Sequence, residues 1–299
     1  MRQLVAVVVA AVLATFGALA PAGAAPLSPM RVLVTNDDGV GAPGIDALVH
    51  ALSKNPNLDI TVIAPATNQS GTGDDFSTGP INVFPSSTAG AFPATAVAGF
   101  PADTVYYAVT YAMPVPPDLV VSGINLGQNV GNLADISGTV GAALTAARFH
   151  IPAIALSTAL GANVDYTEAA NYAAALVERF RVSRSLQKKL SPPKEPTALV
   201  VNVNFPTCPT ASTRGVVLAP LGQIATITGY TPGAGTLVVP TVKITNPTVI
   251  DCQVPTSGDF PNDLEALRAG YATVTPLGAN LGGVTSRLKA FRILEKIPF

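Results

Sequence analysis

The chain has 299 residues, 48% hydrophobic and 12% charged, with a net charge of −1. This composition can build a sizeable core in one large domain or two small ones. It leaves no electrostatic footprint for polymeric nucleic acid or an anionic membrane surface, while a small phosphate ester remains compatible.

Residues 1–24 have the layout of a secretory signal peptide: Arg2, an apolar stretch over 4–20, then the small residues Ala22-Gly23-Ala24. The apolar stretch is at the short limit for a membrane span. No Cys lies near the cleavage site, so a lipoprotein anchor is not supported. The mature part, residues 25–299, is expected to be a single exported domain with no stable membrane insertion.

Val32-Leu33-Val34 is a short apolar run that ends in Thr35-Asn36-Asp37-Asp38, and the Gly-rich turn Gly39-Val40-Gly41-Ala42-Pro43-Gly44 follows. Ile45, Leu48, Val49 and Leu52 then repeat at helical spacing, and Pro43 suits a first helical turn. The segment reads as buried strand, acidic tip, turn and helix. Such tips hold ligands in open α/β sheets. Two adjacent carboxylates repel unless a cation joins them, and a divalent ion with oxygen ligands is the usual solution. Gly39, Gly41 and Gly44 also spell the dinucleotide fingerprint G-x-G-x-x-G. That reading is rejected. Asp37 and Asp38 would oppose a pyrophosphate, and the next strand, residues 59–65, carries its only acid at the wrong end.

A polar turn around Ser70-Gly71 closes the second strand, and residues 72–100 read as loops and short strands. Residues 102–113 suit a helix and 118–125 a buried strand with a polar tip at Asn125. Ser137-Gly138-Thr139 opens a further helix, with Ser137 as its N-cap. A helix start of that composition can hold an anion. A strand is expected over 151–157, one amphipathic helix over 168–190 and a strand over 198–204. Residues 215–260 suggest a β-rich extension, followed by a short helix at 263–269, a strand at 271–275 and a C-terminal helix over 284–297.

Cys208 and Cys252 form an even pair in an exported chain, which suggests a disulfide. His50 and His150 are the only histidines. Both are read as structural, so phosphohistidine chemistry and His-rich binuclear metal sites lack ligands. The polar tips at Asp37/Asp38, Ser70 and Asn125, with the helix start at Ser137, instead describe an oxygen-ligand metal site beside an anion cradle. That chemistry suits hydrolysis of a phosphate monoester.

The segment from Val32 to Ile45 resembles the SurE family of survival-protein nucleotidases. So do Asn68-Gln69-Ser70-Gly71, Asp118-Leu119-Val120-Val121-Ser122-Gly123-Ile124-Asn125, Ser137-Gly138-Thr139-Val140-Gly141 and Gly270-Tyr271-Ala272-Thr273-Val274-Thr275-Pro276-Leu277. The resemblance implies an α/β fold with a Rossmann-like three-layer core and a mostly parallel sheet. It also implies a metal-dependent phosphatase of nucleoside 5′- and 3′-monophosphates, assembled as a homodimer or homotetramer. On this resemblance Asp37, Asp38, Ser70 and Asn125 hold Mg²⁺ or Mn²⁺, with Asp37 and Asp38 catalytic. Asn36, Asn129, Ser137, Gly138 and Thr139 would meet the phosphate. Gly41 stands where the family usually has His, and residues 73–77, Asn132-Leu133 and Ile136 also depart from its pattern. The alternative is a catalytically impaired metal- or nucleotide-binding relative, with the 73–77 departure as its main support.

Overall fold

The computed structural model describes residues 28–161, 164–192, 197–208, 212–232, 238–244, 250–252, 259–278 and 294–297. The elements in chain order are β1 (Met30–Thr35), α1 (Pro43–Leu52), β2 (Leu58–Pro65), β3 (Val83–Ser87), β4 (Pro93–Val97) and α2 (Pro101–Tyr107). Then come β5 (Leu119–Leu126), α3 (Gly138–Arg148), β6 (Ala153–Thr158), α4 (Thr167–Val182), α5 (Arg184–Leu190) and β7 (Val200–Phe205). The last are β8 (Val216–Leu218), β9 (Ala225–Pro232), β10 (Val238–Ile244), α6 (Asp263–Arg268) and β11 (Ala272–Leu277).

The main sheet runs β3-β4-β2-β1-β5-β6-β7-β11-β8. From β4 to β7 every pairing is parallel, whereas β3 and β11 pair antiparallel to their neighbours β4 and β7. Among the six parallel strands the spatial order reverses between β1 and β5, the position where open α/β sheets bind ligands. The acidic tip follows β1, and Asn125 lies at the end of β5.

Alternation along the strands builds a core on each face. Val32 and Val34 of β1 join Ile45, Leu48 and Leu52 of α1 and Tyr172 and Leu176 of α4. Leu33 faces the other way, toward Val105 of α2 and Val140 of α3. On that face Ala142, Ala143, Ala146 and Ala147 meet Ala153 and Ala155, and these small side chains let α3 sit close to the sheet.

The amphipathic stretch over 168–190 is two helices rather than one. The break is at Ser183, whose backbone is extended and whose hydroxyl accepts the Leu186 N–H, starting α5 afresh. Residues 102–113 form α2 and then a wider turn over Ala108–Ala112. The expected β-rich extension contains the separate hairpin β9–β10, but β8 belongs to the main sheet beside β11. Cys208 and Cys252 are joined, with Cα atoms 5.8 Å apart. The C-terminal helix expected over 284–297 and the segment 1–24 lie outside the described residues, apart from a single turn at 294–296. No helix among the described residues is long and apolar enough to cross a membrane.

Candidate active site

The acidic tip owes its shape to a turn held from both sides. Asn36 Nδ2 donates to the Gly39 carbonyl across 2.8 Å, and the Val40 N–H donates to the Pro65 carbonyl at the end of β2. Gly39 has φ of +103°, a left-handed value that a side chain would resist. The chain therefore leaves β1 sharply. Asp37 lines a cavity of about 180 Å³ together with Ser70, Asn125, Asn129 and Ser137. Asp38 lines a neighbouring cavity of about 410 Å³, and Leu126 is shared between the two.

Asp37 is 2% exposed and rests against the start of α3. The Thr139 hydroxyl donates to its Oδ1 across 2.5 Å. Gly138 leaves the space for it, since a Cβ there would come within 2.8 Å of Asp37 Cβ. Burial pushes the Asp37 carboxyl up to about 6, against the pull of the Thr139 hydroxyl, and the Asp38 charge adds to the rise. Burial also raises Asp38, while the Leu126 N–H and the Asn68 amide lower it. Those two donors reach its oxygens at 3.0 and 3.2 Å.

Asn125 reaches the site through an irregularity in β5. Ser122 pairs with Ala155 but Asn125 with Ser157, so β5 carries one extra residue and the alternation is reset before the tip. The Asn125 Nδ2 then donates to the Gly127 carbonyl across 2.7 Å, leaving its amide oxygen as the group available to a ligand. Ser70 is exposed, and its N–H is held by Asn68 Oδ1 in a tight turn. Ser137 caps α3 as expected, its hydroxyl accepting the Val140 N–H. Asn36, Gly138 and Thr139 stand behind the cavity wall rather than on its lining. Among the described residues no three His, Cys, Asp or Glu side chains gather at one point. The oxygen donors here are instead two carboxylates, a hydroxyl and an amide.

The fold, the acidic tip at the order reversal and the motif order converge on one comparison. A family model described as "Survival protein SurE" matches residues 32–227. The chain belongs to the SurE family. It is 37% identical over 202 residues to "5'-nucleotidase SurE" of Syntrophobacter fumaroxidans, covering 67% of this chain and 76% of that protein. It is 42% identical over 163 residues to the protein of the same name from Methanopyrus kandleri, covering 51% and 61% respectively. The crystal structure of a SurE protein from Aquifex aeolicus superposes with a TM-score of 0.64 at 27% identity, over 89% of this chain and all of that one.

The SurE-family core holds supports that the motifs did not reveal. Both backbone groups of Asn129 are gripped by β7: its N–H by Asn204 Oδ1 at 2.6 Å, its carbonyl by Asn202 Nδ2 at 2.8 Å. The Asn129 amide donates to Ser157 Oγ at 2.8 Å. Two asparagines spaced by two residues at the end of an apolar strand share one face, and that was the signal available in the sequence. Asp263 of α6 accepts the N–H groups of Gly131 and Gly222 and so holds the loop after Asn129; no local pattern marked it. Within the divergent 73–77 segment, Asp74 pairs with Arg148 at the last residue of α3, and Ser77 is held by Asp103. The Asp74 charge is thus balanced by Arg148, at the opposite end of α3 from Thr139.

Proposed function

We propose that this chain is an exported, divalent-cation-dependent phosphomonoesterase that hydrolyses nucleoside 5′- and 3′-monophosphates to nucleoside and phosphate. The observation that carries this reading is the common lining of one cavity by Asp37, Ser70, Asn125, Asn129 and Ser137, beside the reversal of strand order. The words "5'-nucleotidase" in the names of both relatives support the same reaction class.

The donor set fits a hard cation such as Mg²⁺ or Mn²⁺. Asp37 and Asp38 offer carboxylates, Ser70 a hydroxyl and Asn125 an amide oxygen. Among the described residues no Lys or Arg forms an ion pair with either acid. A buried carboxylate beside another calls for positive charge. When bound, the cation supplies Lewis-acid polarisation of the phosphoryl group.

The chain's own residues do the positioning. Thr139 orients Asp37 and favours its ionised form. Ser137, at the start of α3, lines the cavity beside Asp37, and the positive end of the helix dipole favours an anion there. Asn129, with its backbone fixed by β7, contributes a side-chain contact to the same anion, and Asn36 keeps the tip in shape.

The reading includes a secreted or periplasmic location and a homodimer or homotetramer. The Cys208–Cys252 bond supports an oxidising compartment. Release of phosphate from a nucleoside monophosphate, before and after chelation and on readdition of Mn²⁺, tests the activity. Release that is absent, or indifferent to the chelator, overturns it.

A further inference from the structure

A cavity of about 570 Å³ opens at the far end of the sheet from the acidic tip, where β1, β5 and β6 begin. Its volume is within the range of small-molecule sites. The floor is apolar, made of the buried residues Met30, Ile151, Pro152 and Phe180. The rim is polar and carries Arg31, Asp118, His150, Arg181, Gln187 and Ser191.

Hydrogen bonding around this rim is one-sided. Gln187 Nε2 donates to the Phe180 and Arg181 carbonyls in the last turn of α4, at 3.0 and 3.1 Å. The Ser191 hydroxyl donates to the His150 carbonyl across 3.2 Å. Asp118 accepts the Arg31 N–H on one oxygen and Arg31 Nη2 on the other, while Arg31 Nε donates to the Pro116 carbonyl. Acceptors of the wall are thus taken by donors of the wall, and the Gln187 amide oxygen is the one left over. The donors are in surplus. Arg181 engages Glu178 through Nε and Nη2, so on both guanidiniums Nη1 has no partner among the described residues. The exposed His150 ring has none there either. Such a rim suits a ligand that brings acceptors. Asp118 and Glu178 already offset the two guanidinium charges, which favours a single negative charge over a multiply charged phosphate.

We propose that this cavity binds a small organic monocarboxylate, its head meeting the Arg31 and Arg181 guanidiniums beside His150 and its apolar body lying on Met30, Ile151 and Phe180. Charge-assisted bonds to the head give the site its sign, and burial of the body gives it affinity. The site is independent of the phosphate reaction proposed above, which takes place at the other end of the strands.

The test is calorimetric binding of indole-3-acetate, tryptamine and acetate to the parent, Arg181→Gln and His150→Gly. Tryptamine keeps the ring and reverses the charge; acetate keeps the charge and removes the body. His150 has φ of +62° just past the end of α3, a position where helices commonly carry Gly, so His150→Gly removes the ring without straining the backbone. Indole-3-acetate is expected to bind the parent with Kd of about 1 mM or tighter. Tryptamine and acetate should bind at least about tenfold more weakly, Arg181→Gln should weaken indole-3-acetate about tenfold, and His150→Gly about threefold. Melting temperatures of both variants establish that they are folded. The proposal is overturned if indole-3-acetate at about 10 mM does not bind the parent, if tryptamine binds equally well, or if affinity is unchanged in both variants. Binding that is lost in Asp38→Asn and kept in Arg181→Gln moves the ligand to the acidic tip and overturns it as well.

Discussion

The Thr139 hydroxyl and Asp37 Oδ1, 2.5 Å apart, tie the start of α3 to the tip of β1. The threonine is fully buried, so this bond is the only described use of its hydroxyl. Thr139→Val keeps the shape and removes the donor. The Asp37 carboxyl then moves further above about 6, because a group that lowers it is lost. At pH 8 the cation-free variant is expected to lose about 1–3 kcal/mol, since a buried acceptor is left without its donor. At pH 5 the loss should be smaller, because the carboxyl is then largely protonated. Thr139→Ser should restore the parent. Urea unfolding of the three proteins at both pH values checks this.

Asp38→Asn isolates charge from shape. Asp38 accepts the Leu126 N–H and the Asn68 amide, one on each oxygen. Asn keeps one acceptor and points an NH₂ at the other donor, so a stability cost near 1 kcal/mol is expected without the cation. Chelator-sensitive phosphatase activity should fall at least a hundredfold, and Mn²⁺ should no longer raise the melting temperature. Full chelator-sensitive activity in this variant would remove Asp38 from the cation site.

Asp263, which holds the loop after Asn129, gives the fold a pH dependence of its own. Burial pushes it up to about 6 from 3.8, against the pull of the Gly131 and Gly222 N–H groups. A carboxyl with a raised folded-state value stabilises fully below its unfolded value. That contribution is lost as pH rises through about 6. The parent should lose on the order of 3 kcal/mol from this group between pH 4 and pH 7. In cation-free protein Asp37 acts in the same direction, because its value is raised too. Asp263→Asn should flatten the Asp263 share of the slope. It should also cost about 1–3 kcal/mol near pH 4, because an amide can accept from only one of the two N–H groups. Unfolding midpoints at a series of pH values, in EDTA, report both effects.

The Cys208–Cys252 bond closes a sequence separation of 44 residues. Chain-entropy reasoning puts its contribution at about 4 kcal/mol. The double variant Cys208→Ser/Cys252→Ser should unfold at correspondingly lower urea concentration. Intact mass and thiol labelling of the protein, purified under oxidising conditions and denatured without reductant, should find no free thiol.

Much of the architecture follows from short-range causes that a sequence displays. An apolar run broken by two Asp and a Gly-rich turn makes a strand tip, and Pro43 with the Ile45/Leu48/Val49/Leu52 spacing makes α1. Ser137 ahead of Gly138 and Thr139 makes a capped helix start. Each of these acts within one or two turns of chain, so the alternation of strands and helices, the parallel sheet and the polar tips were legible. The break at Ser183 was less so. A helical period continues through it, and the break is held by Gln187 folding back onto the Phe180 carbonyl.

The sequence by itself determined that acid, hydroxyl and amide groups stand at the strand tips and at the start of α3, because each is placed there by its own strand, turn or cap. Tertiary structure alone decided how they are held. Thr139 reaches Asp37 across 102 positions, Asn204 reaches Asn129 across 75, and Asp263 reaches Gly131 across 132. It also decided that Asp37 and Asp38, adjacent in the chain, line different cavities. Contacts of that range depend on strand order, on the extra residue in β5 and on how closely α3 packs. These are set by burial summed over the whole sheet, so no local stretch of sequence contains them.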